Sequence, residues 1–309
     1  MTLSFLSEIL LATVRMATPI LLVALAELYS ERAGLVNIGL DGMMTFGALA
    51  GFMASYLTGS PFVGILAGAV GGIAVNMIYA FCTITLCAEQ IVYGMAINIF
   101  APAVAAFLYR AYFGISSTLA QGNLMPTIAV PILKDIPFLG DLLFNQTPMV
   151  YFAYLLVAFT AVFFSKTKAG LNYKAVGEYP KAAETLGINV IARKYAASIL
   201  CGALAGIGGA YLTTCYVNTY SDGVVAGRGF IALSAVIFGR WSSVGVMLAC
   251  LLFGFCDALQ LRLQVMNAAV PYQLFQMIPY VFTLAALAFF GIRKAGPKAS
   301  GKPYRREER

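Results

Sequence analysis

The sequence predicts an all-α fold, a polytopic transmembrane helical bundle of about nine spanning helices, or between about eight and ten. The first observation is composition: 61% of the 309 residues are hydrophobic and 11% are charged, against about half and about a quarter in an average soluble domain. The second is a set of charge-free stretches, each at least as long as the roughly 20 residues that a spanning helix needs. These stretches are Gly42–Ala88, Gln90–Tyr109, Leu142–Ser165, Tyr195–Ser221 and Leu263–Ile292. The third is that no stretch alternates at period 2, as the strands of an outer-membrane barrel do.

The individual helices follow from these stretches and from the turn signals between them. Gly42–Ala88 is too long for one crossing, and Thr58-Gly59-Ser60-Pro61 divides it. Spans of helical length then fall at about 9–26, 40–58, 62–87, 90–108, 148–165, 195–217, 229–241, 244–262 and 272–292.

The distribution of charge predicts the orientation. Lys166–Lys194 carries six Lys or Arg residues and the tail after Ile292 carries seven, whereas the stretch from Tyr109 to Gln146 carries two. Loops rich in Lys and Arg stay on the cytoplasmic side. We therefore expect an external N-terminus and a cytoplasmic C-terminus. The domain prediction is one transmembrane domain at 1–292, with an inner loop at 166–194 and an outer loop at 109–147, followed by a basic tail at 293–309.

Composition also excludes several kinds of chemistry. The chain has no histidine, which excludes a Ser-His-Asp triad, a His-ligated metal and a histidine proton relay. The six cysteines lie in apolar segments without C-x-x-C spacing, which indicates packing residues. We expect no enzyme activity, no metal site and no cofactor in this chain.

Small residues repeat in two places. The sequence GALAG occurs at Gly47–Gly51 and again at Gly202–Gly206, and glycines recur every four residues at Gly64, Gly68 and Gly72. Such patterns let helix backbones approach closely, so we expect helix packing. Internal duplication of the transporter type is the alternative for GALAG.

Polar groups inside a bilayer are costly, so those in the spans should face other helices or a water-filled cavity. Asn37, Asp41 and Thr45 recur every four residues and share one helical face, and the glycines around them permit a broken helix. The predicted pathway residues are Asn37, Asp41, Thr45, Asn76, Gln90, Tyr93, Asn98, Arg228, Asp257 and Gln260. Interhelical hydrogen bonds, and for Asp41 a place at the inner interface, are the alternatives.

Four sequence blocks resemble a known family. Glu27–Met44 (ELYSERAGLVNIGLDGMM) resembles the signature of nucleoside-type permease subunits of ABC importers, relatives of ribose and branched-chain amino acid permeases. Gln90–Asn98, Ala175–Ile188 and Gly227–Trp241 are similar to further blocks of that family, in the same order.

The resemblance implies the rest of an importer. It implies a cytoplasmic ABC ATPase subunit that binds ATP and magnesium, a second permease that is a related but different chain, and an extracytoplasmic substrate-binding protein. It also implies a bacterial plasma (inner) membrane and contact with lipid, without nucleic acid. The ATPase-coupling residues that it implies are Glu178, Pro180, Lys181, Ala183, Glu184 and Gly187.

Two alternatives stay open at this point. The first keeps the ABC architecture but changes the cargo to ribose-like simple sugars or branched-chain amino acids. The second is an ion-coupled secondary transporter that uses Asp41 or Asp257 as its coupling carboxylate.

Overall fold

The computed structural model of the chain describes residues 2–114, 120–129, 144–266 and 296–305, together with Leu274, Met277 and Val281. The predicted span at 272–292 lies outside the described residues apart from those three, and so does much of the predicted outer loop. The elements in chain order are α1 (Thr2–Arg32), α2 (Leu40–Thr58), α3 (Pro61–Ala80), α4 (Gln90–Phe113), β1 (Ile128–Ala129), β2 (Asn145–Gln146), α5 (Pro148–Lys166), α6 (Lys168–Glu178), α7 (Pro180–Thr185), α8 (Val190–Tyr211), α9 (Arg228–Phe238) and α10 (Ser243–Met266). Short π-helical turns at Phe81–Thr85 and Leu212–Tyr216 extend α3 and α8.

The predicted all-α class is confirmed within the described residues. The two strands form a single antiparallel pair in which Ile128 lies opposite Gln146 and Ala129 opposite Asn145. In the part of the chain that the structure describes, six helices are long and apolar enough to cross a membrane: Ser7–Arg32, Pro61–Thr85, Gln90–Phe113, Pro148–Lys166, Val190–Tyr216 and Ser243–Gln264.

Two predicted spans differ from those six. The helix α2 has the predicted bounds but is not among the six. The helix α9 has 11 residues, which is about 16 Å of helix against about 30 Å of hydrocarbon. By itself, α9 therefore covers only part of the membrane thickness.

Local sequence explains where several helices begin and end. Proline, whose fixed φ suits the first helical turn, opens α3 at Pro61 and α5 at Pro148. Gly59 ends α2 in the left-handed conformation, with φ of 71°, which glycine adopts without steric cost. The side chain of Asn189 accepts a hydrogen bond from the backbone N–H of Ala192 and caps α8.

The centre of the bundle is a close contact between α2, α3 and α8. A Cβ atom on Gly47 would lie 2.5 Å from the Cα atom of Gly206, so the two GALAG sequences pack directly against each other. On α3, a Cβ atom on Gly68 would lie 3.0 Å from the carbonyl oxygens of both residues. The packing expected from the small-residue patterns is therefore confirmed.

The bundle has two distinct ends. At one, which we call the basic end, the tail residue Ala299 donates a backbone hydrogen bond to Gly177 of α6 at 2.9 Å. The two basic segments of the sequence therefore meet at the same end. At the opposite end, the backbone N–H of Gly122 donates to Asn218 and the side chain of Asn123 donates to the carbonyl of Gly59.

Candidate translocation site and coupling surface

The chain is not helical between α1 and α2. We call the segment Ala33–Gly39 the break; it turns at Gly34, where φ is 80°. The break lies well inside the bundle, because Asn37 contacts Asn76 of α3 and Cys201 of α8. Asn76 lies nine residues before Thr85, where the extension of α3 ends, and Cys201 lies eleven residues after the start of α8, so each is about 15 Å from the basic end.

Side chains of the surrounding helices satisfy the backbone of the break. Glu27 accepts from the N–H of Asn37 at 2.9 Å, and Gln90 accepts from the N–H of Val36 at 2.7 Å. The hydroxyl of Tyr79 donates to the carbonyl of Val36 at 2.6 Å. Buried backbone groups without a partner are costly, so these side chains make a non-helical segment possible inside the bundle.

Asn98 of α4 bridges the end of the break and the start of α2. Its amide donates to the carbonyl of Ile38 at 2.8 Å, and its oxygen accepts from the N–H of Gly42 at 2.9 Å. The oxygen of Asn37 accepts from the N–H of Gly39 at 3.0 Å. Amides suit this role because one side chain both donates and accepts.

Asn37 also joins three helices through its side-chain nitrogen. That nitrogen donates to the oxygen of Asn76 at 3.1 Å and contacts the sulfurs of Met43 and Cys201. The amide of Asn76 in turn donates to the carbonyl of Ser198. All of these contacts are buried, and they fix the break against α3 and α8.

A second helix also begins inside the bundle, beside the start of α2. The carboxylate of Asp41 accepts from the backbone N–H of Gly229 at 3.1 Å, in the first turn of α9. A Cβ atom on Gly229 would lie 2.6 Å from the Cα of Asp41, so only glycine allows this approach. A helix N-terminus carries partial positive charge, which favours a carboxylate there.

Arg228 adds a charge to this junction. It interacts electrostatically with Asp41 and with Asp257 of α10. Its guanidinium donates to the carbonyls of Val224 and Val225, at 3.3 and 3.1 Å, while its buried Nε atom has no partner among the described residues. One arginine therefore interacts with two carboxylates, near the point where two helices start.

The structure brings most of the predicted pathway residues together. Asn37, Asn76, Gln90 and Asn98 bond to the break or to each other, and Thr45 bonds to the carbonyl of Asp41 one turn away. Gln260 is half-buried on α10. Tyr93 differs, because its side chain is 38% exposed on α4.

Sequence reasoning missed two residues of this site. Glu27 and Tyr79 are both buried and both bond to the backbone of the break. A signal existed for Glu27, since a carboxyl group within an apolar span is expensive. Tyr79 had none, because an isolated tyrosine in an apolar helix looks like any packing residue.

At the basic end, Trp241 joins the end of α9 to the end of α1. Its indole N–H donates to the carboxylate of Glu31, and its carbonyl accepts from the guanidinium of Arg32. Arg32 also interacts electrostatically with Glu178 at the end of α6. The end of α1 therefore contacts both the half-length helix α9 and the inner loop.

The inner loop folds into α6 and the short helix α7 on the surface of the basic end. Pro180 begins α7, and Gly187 lies in the turn that follows it, with φ of 81°, as predicted for one short helix between these residues. Ala183 is buried against Val176 and Val190. Burial lowers the pKa of Lys174 in this loop, and the nearby guanidinium of Arg32 lowers it further.

The predicted coupling residues divide into two groups. Ala183 faces inwards, and Glu178, Pro180 and Glu184 are half-buried. Lys181 and Gly187 are exposed, beside Tyr179 and Leu186, which are 57% and 80% exposed. Leu186 also lines an open groove of about 680 Å³ between α6 and the start of α8. An exposed apolar knob beside a groove suits contact with another protein.

The comparisons with known proteins agree on one family. The family described as "Branched-chain amino acid transport system / permease component" matches residues 9–287. The nucleoside ABC transporter permease protein NupC of Lactococcus lactis is 38% identical, with 93% of each chain covered. The guanosine ABC transporter permease protein NupQ of Bacillus subtilis is 34% identical, with 97% of each chain covered. TsgC13 of Haloferax volcanii, named for glucose ABC transport, is 33% identical, with 98% of this chain and 99% of that protein covered.

A solved structure supports the fold alone. It is described as an inward-facing conformation of a metal-chelate type ABC transporter, with a TM-score of 0.51, 15% identity, and coverage of 91% of this chain and 85% of that one. The six apolar helices and the family match identify a multi-pass membrane protein that takes part in transport and is not an enzyme. The chain belongs to the family of permease components of the branched-chain amino acid transport system.

Proposed function

We propose that this chain is the membrane-spanning subunit of an ABC importer for nucleosides and forms part of the translocation pathway. The main evidence that the cargo is a nucleoside is the similarity to the nucleoside permease NupC along nearly the whole chain. The similarity to the guanosine permease NupQ supports the same cargo. ABC permeases work with an ATPase and with a second permease. ATP and magnesium then belong to the ATPase subunit, with no cofactor in this chain.

The pathway runs past the break and the start of α9. The residues assigned to it are Asn37, Asp41, Thr45, Asn76, Gln90, Tyr93, Asn98, Arg228, Asp257 and Gln260. Discontinuous helices with polar ends are typical of substrate sites in transporters. Side-chain amides can both donate and accept, which suits the edges of a neutral nucleobase and ribose. Tyr93, on the exposed side of α4, can contribute only where another subunit approaches.

The coupling surface is α7 with the ends of its flanking segments. We assign Lys181 and Gly187 to direct contact with the ATPase, because they are exposed beside Leu186. Glu178, Pro180, Ala183 and Glu184 hold the helix in place. ATP binding and hydrolysis would move this surface, and the bundle would shift between outward and inward access.

We further propose nine crossings, with the N-terminus outside and the C-terminus in the cytoplasm. The half-length helix α9 and the segment 217–227 before it would together make one crossing, because Asn218 contacts Gly122 at the opposite end while Trp241 lies at the basic end. The domain assignment follows: a transmembrane domain at 1–292, its coupling loop at 166–194 and outer loop at 109–147, and a tail at 293–309. The membrane is the bacterial plasma (inner) membrane.

The remaining partners are proposed on the same basis. The second permease would be a related but different chain, and an extracytoplasmic binding protein would deliver the nucleoside. Lipid would cover the exposed apolar side chains of α3 and α4, which include Leu66, Val70, Ile99 and Phe107.

A simple sugar is the second candidate cargo. The similarity to TsgC13, named for glucose, favours it. For branched-chain amino acids as cargo, the support is the description of the family alone. The ion-coupled alternative has no support among these relatives, each of which is named as an ABC transporter permease.

The test is uptake of labelled guanosine and adenosine by cells that lack this gene and by complemented cells. A protonophore is present, and glycolysis maintains ATP. We expect complementation to restore uptake although the proton gradient has collapsed. Restoration only without the protonophore would contradict ATP-driven transport. If complementation restores uptake of glucose and not of nucleosides, the cargo is a simple sugar and the nucleoside assignment is wrong.

A further inference from the structure

The C-terminal tail folds back onto the coupling surface. Ala299 pairs with the backbone of α6 through Gly177, and Lys298 donates a hydrogen bond to the hydroxyl of Tyr179 at 2.5 Å. The ammonium of Lys298 also lies 4.8 Å from the centre of the same ring. That hydrogen bond raises the pKa of Lys298. Residues 296–305 thus lie as a strap along the inner loop.

Tyr304 fastens this strap to α7. Its hydroxyl donates to the carboxylate of Glu184, and its ring packs against the apolar cluster that contains Ala183. The ammonium of Lys194 lies 5.9 Å from the centre of the ring, within the range of a cation–π contact. The carbonyl of Tyr304 accepts from the thiol of Cys87 at 3.4 Å. A single tail residue therefore contacts α7, α8 and the end of the α3 extension.

The other end of the strap reaches Trp241. A Cβ atom on Gly296 would lie 2.7 Å from the Cζ2 atom of the indole, so the tail backbone packs directly on the ring. Trp241 lies three residues after the end of α9. In the first turn of the same helix, the N–H of Gly229 donates a hydrogen bond to Asp41. The tail is thus in contact with α7 at one end and with the base of α9 at the other.

We propose that the C-terminal tail is a transmission element of this transporter, which carries a movement of α7 to α9 through Tyr304 at one end and Trp241 at the other. Tyr304 is a positioning residue, since it acts through Glu184 and touches no substrate. A contiguous set of packed residues between two sites can carry such coupling, but coupling has to be measured. The proposal goes beyond the proposed function and rests on it only where uptake is measured.

Trp241 supplies the direct readout, because it is the single tryptophan of the chain. The complex is prepared with partner subunits that carry Phe in place of Trp, and the emission of Trp241 is recorded before and after a non-hydrolysable ATP analogue is added. We expect the analogue to change the emission. We expect Tyr304→Ala to weaken the equilibrium that underlies this change about tenfold, the effect of losing a hydrogen bond to a carboxylate, and so to reduce the emission change. Tyr304→Phe keeps the ring and should give an intermediate change.

Two further variants keep the test decisive. Glu184→Gln weakens the same bond from the other side and should act like Tyr304→Phe, which covers the case in which Tyr304→Ala fails to assemble. Lys302→Ala is the control. Lys302 is an exposed tail residue, and its side chain takes part in none of these contacts, so this variant should show the full emission change. A full emission change in Tyr304→Ala, or no change in the unaltered complex, would overturn the proposal.

Uptake separates a coupling role from a merely structural one. In liposomes that hold the complete complex, nucleoside taken up is divided by ATP hydrolysed. A transmission role predicts that this ratio falls in Tyr304→Ala at an equal amount of assembled complex, and an unchanged ratio would contradict it. If the unaltered complex shows the emission change but takes up no nucleoside, the cargo assignment fails and the tail inference stands.

Discussion

Asp41 at the start of α2 accepts a hydrogen bond from the backbone of Gly229 at the start of α9, with 3.1 Å between the two atoms. The two residues are far apart in sequence, yet they join two helices that both begin inside the bundle. Arg228 lies beside them and interacts with Asp41. This junction is the structural centre of the proposed pathway.

Substitutions of Asp41 should impair transport most when they remove the oxygen that accepts the hydrogen bond from Gly229. Asp41→Ala removes a hydrogen bond to a charged group, worth about 1.5–3 kcal/mol, so we expect uptake to fall about tenfold or more. Asp41→Asn keeps an oxygen that can accept from Gly229 and should retain more uptake. Initial rates of nucleoside uptake at matched membrane levels make the comparison, and equal rates for Asp41→Ala and the unaltered chain would exclude this role.

Glu27 should matter more as an acceptor than as a charge. Glu27→Ala leaves the buried N–H of Asn37 without its partner, at a cost of about 1–3 kcal/mol in the free energy of unfolding. Glu27→Gln supplies an oxygen at the same place. We expect the purified complex with Glu27→Ala to unfold at a lower temperature than that with Glu27→Gln. Equal unfolding temperatures for the two variants, both below that of the unaltered complex, would show that the charge itself is needed.

Charge reversal at Glu178 should uncouple the permease without removing it from the membrane. Glu178 interacts electrostatically with Arg32 and Lys298, so Glu178→Lys would place three cations together beside α7. We expect uptake to be lost while the amount of membrane protein, measured by immunoblotting, stays unchanged. Glu178→Gln is the matched control and should retain part of the uptake. Normal uptake in Glu178→Lys would mean that this part of the loop is only a solvated surface.

The contact between the two GALAG sequences should tolerate no added atom. Gly47→Ala places a methyl group against the backbone of Gly206, and overpacking of this kind costs about 1–3 kcal/mol. At Gly122, a Cβ atom would lie 3.4 Å from the Phe52 ring, an ordinary contact, so Gly122→Ala is the control. Thermal unfolding in detergent should show a lower midpoint for Gly47→Ala only. Equal midpoints would show that α2 and α8 can move apart freely.

The ion pair between Arg110 and Asp222 should contribute little to stability. A guanidinium nitrogen of Arg110 lies 2.6 Å from a carboxylate oxygen of Asp222, and the two side chains are 61% and 50% exposed. Exposed ion pairs contribute about 0.2–1 kcal/mol to stability. A double-mutant cycle with Arg110→Ala and Asp222→Asn should therefore give a coupling energy below about 1 kcal/mol. A larger value would mean that this end of the bundle is more closed than its exposure indicates.

Sequence alone predicted the helical class and most helix positions. These succeed because long apolar runs, proline starts and buried polar groups each have a local physical cause. Asn37, Gln90 and Asn98 could be picked because an amide inside an apolar span needs a partner. Their partner turned out to be the backbone of the break, which is set by contacts among α1, α3 and α4 that no local pattern encodes.

Other features depend on tertiary contacts that the sequence does not display. The run 229–241 contains enough apolar residues to suggest a span, but Gly239 lies at the end of α9 and the helix stops at Phe238. The role of Tyr79 and the docking of the tail residue Tyr304 on α7 both arise between segments distant in the chain. The orientation stays a prediction from charge, with which the meeting of the two basic segments at one end agrees.

Uptake by the purified complex in proteoliposomes tests directly whether this chain belongs to an ATP-driven nucleoside importer. The complex contains this chain, the second permease and the ATPase, with the binding protein on the outside and ATP on the ATPase side. We expect labelled guanosine to accumulate only with ATP, unlabelled nucleosides to compete with it, and glucose not to compete. Uptake that follows an imposed ion gradient without ATP, or that glucose competes away, would contradict this function.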